Sequence, residues 1–228
     1  MPDSPSTCWT MIRDASGGDA TARERFASMY APVIRAYLGA RWGGGPLREV
    51  IEDAQQDVFI ELFRDGGALG KLDEQSESGF RGFLFGVTRN VARRHEQKKQ
   101  RSRSDQPATA FFDHLPDDEP RLSQIFDQAW AKSLLHEAGR VQHEKAAELG
   151  SEAIRRHDLL QLRFRDGLPI RDIAARWDEP AEHVHREYAK ARREFQEALL
   201  EVIRFHHENA SEERLAQIAK DLIGLLAL

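Results

Sequence analysis

Apolar residues recur at three- and four-residue steps along most of the chain, and this spacing constrains the fold more than any other feature of the sequence. Such steps place apolar side chains on one face of an α-helix. They are clear in residues 26–38, 51–62, 80–91, 122–141 and 159–199. Alternating patterns of useful length, which would indicate β-strands, do not occur in the sequence. We therefore predict an all-α fold.

The stretch 105–120 divides the chain in two. It contains five acidic residues, three prolines and no lysine or arginine. Acidic side chains repel one another, and proline restricts itself and the preceding residue to extended backbone. We therefore predict two small helical domains, over residues 1–104 and 121–205, joined by an acidic linker over 105–120. Residues 206–228 would form a helical C-terminal extension.

Composition excludes several classes of protein. Cys8 is the single cysteine, so no internal disulfide can form, and no apolar run approaches the roughly 20 residues that a membrane span needs. The N-terminus lacks the basic start and apolar core of a secretory signal. We expect a cytoplasmic protein with no membrane insertion.

The sequence offers no convincing catalytic or metal-binding pattern. His183 and His185 are two residues apart on a predicted helix, so their side chains diverge, and no cysteine lies near any of the nine histidines in a ligand spacing. Walker and dinucleotide-binding glycine patterns are also missing. We predict no metal, no cofactor and no enzyme activity.

The predicted third helix becomes strongly basic after Arg89. Residues 89–103 contain seven lysines and arginines against one acid, Glu96. A continuous basic stripe attracts phosphate backbones through counterion release. A solvated helix end explains the same run as well, because basic residues also favour the negative end of the helix dipole. Both explanations stay open on this run alone.

Residues 155–205 have the pattern of a helix-turn-helix. A short helix ends at Asp166-Gly167, a second covers 168–177, and a longer one covers 181–205. Ala174 supplies the small side chain that the close crossing of two such helices needs. Other helical hairpins share this spacing.

Three segments, taken in order, resemble those of extracytoplasmic-function sigma factors of the sigma-70 family. Residues 52–64 resemble the polymerase-binding segment, residues 80–90 the promoter-melting and minus-ten-reading segment, and residues 167–193 the sigma-four helix-turn-helix. The resemblance covers most of residues 10–205. It implies a sigma-2-like helical bundle and a sigma-4-like domain that direct core RNA polymerase to promoter DNA and assist its opening.

The resemblance also implies roles for particular residues of the first domain. Gln56 and Asp57, together with Asp53, match the segment that grips the coiled coil of the polymerase clamp; an ordinary solvated face is the alternative. Asn90 matches the residue that reads a minus-ten base, and an amide can both donate and accept at a base edge. The implied minus-ten and melting set is Ser76, Ser78, Phe85, Arg89, Asn90, Arg93, Arg94 and Lys98.

In the second domain the resemblance puts the start of the long helix into the major groove of the minus-thirty-five element. The implied contacts are Arg171, His183, His185, Arg186, Lys190 and Arg192. The sequence departs from the family here, because Asp178-Glu179-Pro180 stands where Gly-Ile-Ser is usual. Residues 181–204 also balance five bases with five acids. We expect weak upstream contact or a changed consensus.

The C-terminal extension and the overall function each leave alternatives. Residues 215–226 have one apolar face behind a capping pattern at 209–212. That face either packs on the chain's own second domain or docks an anti-sigma factor or other regulator. A stand-alone helix-turn-helix transcriptional regulator is the alternative to a sigma factor. A weaker third possibility is an interaction protein that no longer reads promoters.

Overall fold

The computed structural model describes residues 8–64, 79–101, 119–207 and 210–225. The helices in these ranges are α1 (Cys8–Ser16), α2 (Ala20–Trp42), α3 (Ile51–Phe63), α4 (Gly79–Arg101), α5 (Glu119–Leu149), α6 (Ser151–Phe164), α7 (Ile170–Trp177), α8 (Ala181–His206) and α9 (Glu212–Leu225), with a 3₁₀ helix at Arg48–Val50. The described residues contain no β-strand, so the predicted all-α fold is confirmed. Among these helices none has both the length and the apolar character that crossing a membrane would require.

The chain divides into two compact units. The first is Met1–Ser133 with Ile223–Leu228, and the second is Leu134–Leu222. This division falls inside α5, whereas the sequence places a domain boundary before residue 121. The difference has a physical reason, because the first part of α5 carries aromatic side chains that pack in the first unit. Trp130 stacks on Tyr30 with ring centroids 5.4 Å apart.

The core of the first unit is aromatic and centres on α2. Phe26, Tyr30, Tyr37 and Trp42 of this helix are almost completely buried. Phe80 at the start of α4 meets Phe26 and Tyr30 edge-on, with ring centroids 5.8 and 5.1 Å apart. Such edge-on pairs are a preferred geometry of aromatic rings. Apolar packing therefore fixes the first half of α4 against α2.

A buried ion pair fixes the second half of α4. Arg41 donates from Nε and Nη2 to the carboxylate of Glu96 at 2.6 and 3.0 Å, and Trp42 Nε1 donates to Glu96 Oε1 at 2.8 Å. Burial by itself would lower the pKa of Arg41, but the contacts with Glu96 and Tyr37 raise it above its ordinary value. Glu96, the one acid in the basic run, is therefore a structural partner of α2.

The second unit contains the three helices that the sequence predicts as a helix-turn-helix. Ile173 and Ala174 of α7 form a buried cluster with Leu159 of α6 and Val184 of α8. The turn after α7 passes through Asp178, which adopts a left-handed conformation with φ 54°. Helix α7 begins at Ile170 and not at residue 168, because Pro169 has extended backbone and precedes the first helical residue.

The apolar face predicted in the C-terminal extension is buried over most of its described length. Leu215, Ala219 and Leu222 are at most 7% exposed, and Ser211 caps α9 by accepting the N–H of Arg214 at 3.3 Å. Ile223, the next residue of the predicted face, is 54% exposed. Burial within the chain therefore accounts for three residues of this face.

Removal of Glu96 tests the importance of the buried pair. The Arg41 side chain is 6% exposed, so Glu96→Gln would leave a buried positive charge without its main partner. We expect a loss of about 3 kcal/mol in the free energy of unfolding, measured by urea denaturation. The control Glu52→Gln breaks the pair with Arg35, in which both side chains are more than half exposed, and should cost at most about 1 kcal/mol. Equal losses would contradict this account.

The rings of two histidines, His143 and His157, pack against each other in the second unit. The rings of His143 on α5 and His157 on α6 lie 4.9 Å apart, and His157 is 9% exposed. Its Nδ1 atom is buried without a hydrogen-bond partner among the described residues. Burial, followed by the charge of His143, lowers the pKa of His157, while Asp158 opposes this. The folded chain therefore favours the neutral ring.

The expected consequence is a loss of stability on acidification. An unfolded histidine titrates near pH ~6.5, so below that pH the unfolded chain binds more protons than the folded chain and is stabilised. The free energy of unfolding should fall as the pH drops below about 6.5, and less steeply in His157→Gln. His136→Gln, an exposed position on α5, should retain the wild-type pH dependence. The same slope in His157→Gln and wild type would exclude His157 as the titrating group.

Candidate functional site

The three residues predicted to bind polymerase share one exposed side of α3. Asp53, Gln56 and Asp57 are exposed, and the opposite side of the helix buries Ala54 and Val58 in the first unit. Asp57 remains 51% exposed although its Oδ2 lies 2.8 Å from Nε2 of His95 on α4. Carboxylate and amide groups therefore project from α3, where a partner can reach them.

Ile60 is a residue of this surface that the sequence analysis missed. It lies one helical turn beyond Gln56 and Asp57, and it is 62% exposed. Periodicity gave a signal, because Ile60 falls off the stripe formed by Ala54, Val58 and Leu62. The exposed side of α3 thus combines acidic, amide and aliphatic groups. Below, this set of Asp53, Gln56, Asp57 and Ile60 is called the α3 surface.

The predicted minus-ten residues on α4 occupy different environments. Asn90, Arg93, Arg94 and Lys98 are exposed, and Arg89 is partly exposed. Phe85, which the resemblance places in the minus-ten and melting set, packs edge-on against Phe126 of α5 and Tyr37 of α2, with ring centroids 5.3 and 5.5 Å away. Ser76 and Ser78 lie outside the described residues.

Three arginines of α4 each contact an acidic side chain of another helix. Arg94 donates from Nη1 and Nη2 to Glu61 Oε2 on α3, both at 3.0 Å. Arg93 donates to Glu119 at the start of α5 at 3.1 Å, and Arg89 lies 3.7 Å from the same carboxylate. Sequence analysis missed Glu61 and Glu119, because both are distant from α4 along the chain. Acidic residues of the same chain therefore partly neutralise the basic stripe of α4.

The six predicted minus-thirty-five residues do not form one surface. His183, Arg186 and Lys190 follow one side of α8 at steps of three and four, while His185 and Arg192, seven residues apart, lie on a different side. Arg171 extends from α7 with its side chain 87% exposed.

Acids of the same region accompany the bases along the first of these sides. His183 lies 3.5 Å from Glu179, Arg186 lies 3.9 Å from Glu182, and Lys190 lies 2.7 Å from Glu187. Lys190, followed by Arg156 of α6, lowers the pKa of Glu187 and keeps it ionised at neutral pH. Because the charges balance, this side of α8 attracts phosphate weakly.

Comparison of the chain with protein-family models, with curated proteins and with solved structures gives no match. Within the described ranges, no group of three or more histidine, cysteine, aspartate and glutamate side chains is arranged to hold a metal ion.

The exposure of Ile60 can be tested against that of a buried neighbour. Ile60→Ala should change the free energy of unfolding by no more than about 0.5 kcal/mol, because the side chain contributes little to the core. Leu62→Ala, two residues away and 1% exposed, should cost about 2–5 kcal/mol. Thermal or urea denaturation of both variants provides the comparison. A large loss in Ile60→Ala would mean that Ile60 belongs to the core.

Proposed function

We propose that this chain is a sigma factor of the extracytoplasmic-function group. It would bind core RNA polymerase in the cytoplasm, recognise promoter DNA and assist strand opening, without catalysing a reaction itself. The ordered resemblance of three segments suggests this function. The geometry of α3, α4 and the α7–α8 pair supports it.

The α3 surface is the observation that carries the proposal. A helix that buries one side in its own unit leaves Gln56, Asp57 and the 62% exposed Ile60 on the other. An exposed aliphatic side chain bordered by acidic and amide groups can take part in a contact with another protein, because such contacts combine an apolar centre with a polar rim. The acidic character of this surface favours a partner with basic residues. A clamp coiled coil of polymerase is the partner that the resemblance suggests.

Helix α4 supports a role in contacting DNA. Asn90 is exposed and offers both a donor and an acceptor to a base edge. Arg93 and Arg94 lie one helical turn beyond it with side chains 44% and 54% exposed, and both can contact phosphate oxygens. Arginines that hold the phosphate backbone, next to a residue that reads one base, suit the recognition of a single DNA strand. Glu61 and Glu119, which pair with these arginines, would keep the DNA affinity of α4 low until polymerase brings the DNA to it.

The α7–α8 pair supports a subordinate role in upstream recognition. Its tight left-handed turn and small crossing residue, Ala174, suit a helix-turn-helix. Its bases are matched by acids on the side that holds Lys190 and Arg186. We therefore propose that minus-ten contacts and polymerase binding provide most of the promoter affinity.

Capture of core polymerase tests the proposal. Gln56→Ala combined with Asp57→Ala should weaken binding at least about tenfold, because both groups would be lost from the centre of the contact. Gln196→Ala combined with Glu197→Ala is the matched control, since this adjacent amide–acid pair is exposed on α8. The control should capture polymerase as the wild type does.

A stand-alone regulator, which is the alternative function, would give different results in binding experiments. A stand-alone DNA-binding protein would shift a duplex probe without polymerase, and changes at Gln56 and Asp57 would leave that shift intact. A sigma factor would bind the free duplex weakly and lose polymerase when these two residues change. Failure of the wild-type chain to capture core polymerase would overturn the proposed function.

A further inference from the structure

Three arginine side chains converge on one carboxylate in the first unit. Glu119 Oε1 lies 3.1 Å from Arg93 and 3.8 Å from Arg41, and its Oε2 lies 3.7 Å from Arg89. Arg41 has a second acidic partner, Glu96, in its buried pair. Glu119 is the acidic partner in the ion pairs described for Arg89 and Arg93. With Arg41 paired to Glu96, Arg89 and Arg93 share the one carboxylate of Glu119, and the cluster carries one excess positive charge.

The packing of α5 holds Glu119 in this place. One turn further along, Ser123 accepts a hydrogen bond from Arg81 of α4 at 3.1 Å, and Asp127 forms an ion pair with the same arginine. Phe126 then packs against Phe85. Glu119 also lies in the first turn of α5, where the helix dipole favours a negative charge. Contacts other than those of Arg89 and Arg93 therefore hold the first turns of α5 against α4.

The site remains accessible from solvent. Arg89 and Arg93 have side chains 36% and 44% exposed, and Glu119 is 27% exposed. A phosphate group offers the same kind of acceptor oxygens as a carboxylate, and arginine binds both. Contacts between exposed ion pairs are weak enough for a competing anion to displace them.

We propose that Arg89 and Arg93 form a binding site for a phosphate of the DNA backbone, and that the carboxylate of Glu119 occupies this site in the free chain. Arg41 lies behind this site, 3.8 Å from Glu119, and is itself paired with Glu96. The proposal rests on the proposed function, because Glu119 would lower the DNA affinity of α4 in the free chain. Glu119 acts as an internal competitor that DNA must displace.

Neutralising Glu119 tests the competition directly. The full-length Glu119→Gln variant should bind a short fluorescent single-stranded oligonucleotide about three- to tenfold tighter than wild type in an anisotropy titration. Between about 50 and 200 mM salt, its plot of log affinity against log salt should be steeper by about one or two, because freed arginines bind additional phosphates.

Two controls separate this effect from a general change of charge. Glu24→Gln removes one negative charge from an exposed position of α2 and should leave affinity near that of wild type. Adding Arg89→Gln and Arg93→Gln to Glu119→Gln should abolish the gain. Equal affinities of the Glu119→Gln and Glu24→Gln variants would overturn the proposal, as would a gain that persists without the two arginines.

The same variants distinguish this proposal from the proposed function. Glu119→Gln leaves the α3 surface unchanged, so it should capture core polymerase as wild type does. Captured polymerase with no gain in oligonucleotide binding would refute the role of Glu119 and leave the sigma function standing. A gain in binding without any polymerase capture would support the phosphate site and refute the sigma function.

Discussion

The buried pair of Arg41 and Glu96 is the contact on which the arrangement of the first unit depends. The buried residues of α4 end at Ala92, so apolar packing positions only the part of the helix that precedes it. Beyond that point polar contacts hold the helix, through Glu96 to Arg41 and Trp42 and through His95 to Asp57. The basic end of α4 is thus held in a defined orientation on the surface without being buried.

Neutralisation of basic residues by neighbouring acids is common to both units. In the first unit Glu61 and Glu119 come from other helices and contact arginines of α4. In the second unit acids three or four residues earlier accompany Arg186 and Lys190. This arrangement agrees with the net charge of −5. Under the proposed function, the DNA-binding surfaces would bind weakly by themselves and become effective when a partner positions the nucleic acid.

Sequence periodicity predicted the helices from α2 onward, though not α1, and the buried sides of α3 and α4, because three- and four-residue steps are a local property of the chain. Periodicity could not predict which residues of other helices each side contacts. Glu96 and Arg41 are 55 residues apart, so the structural use of the one acid in a basic run was not visible. Phe85 falls off the apolar stripe of α4, yet Phe126 of α5 packs edge-on against it. The division between the two units follows Ser133, inside α5, whereas the sequence analysis starts the second domain at residue 121.

Transcription by purified core polymerase on genomic DNA from the protein's own source tests the central claim most directly. The account predicts that RNA begins at a defined set of positions only when the chain is present, and that these positions share a minus-ten sequence. Absence of any chain-dependent start, with no association between the chain and the core enzyme, would contradict the account.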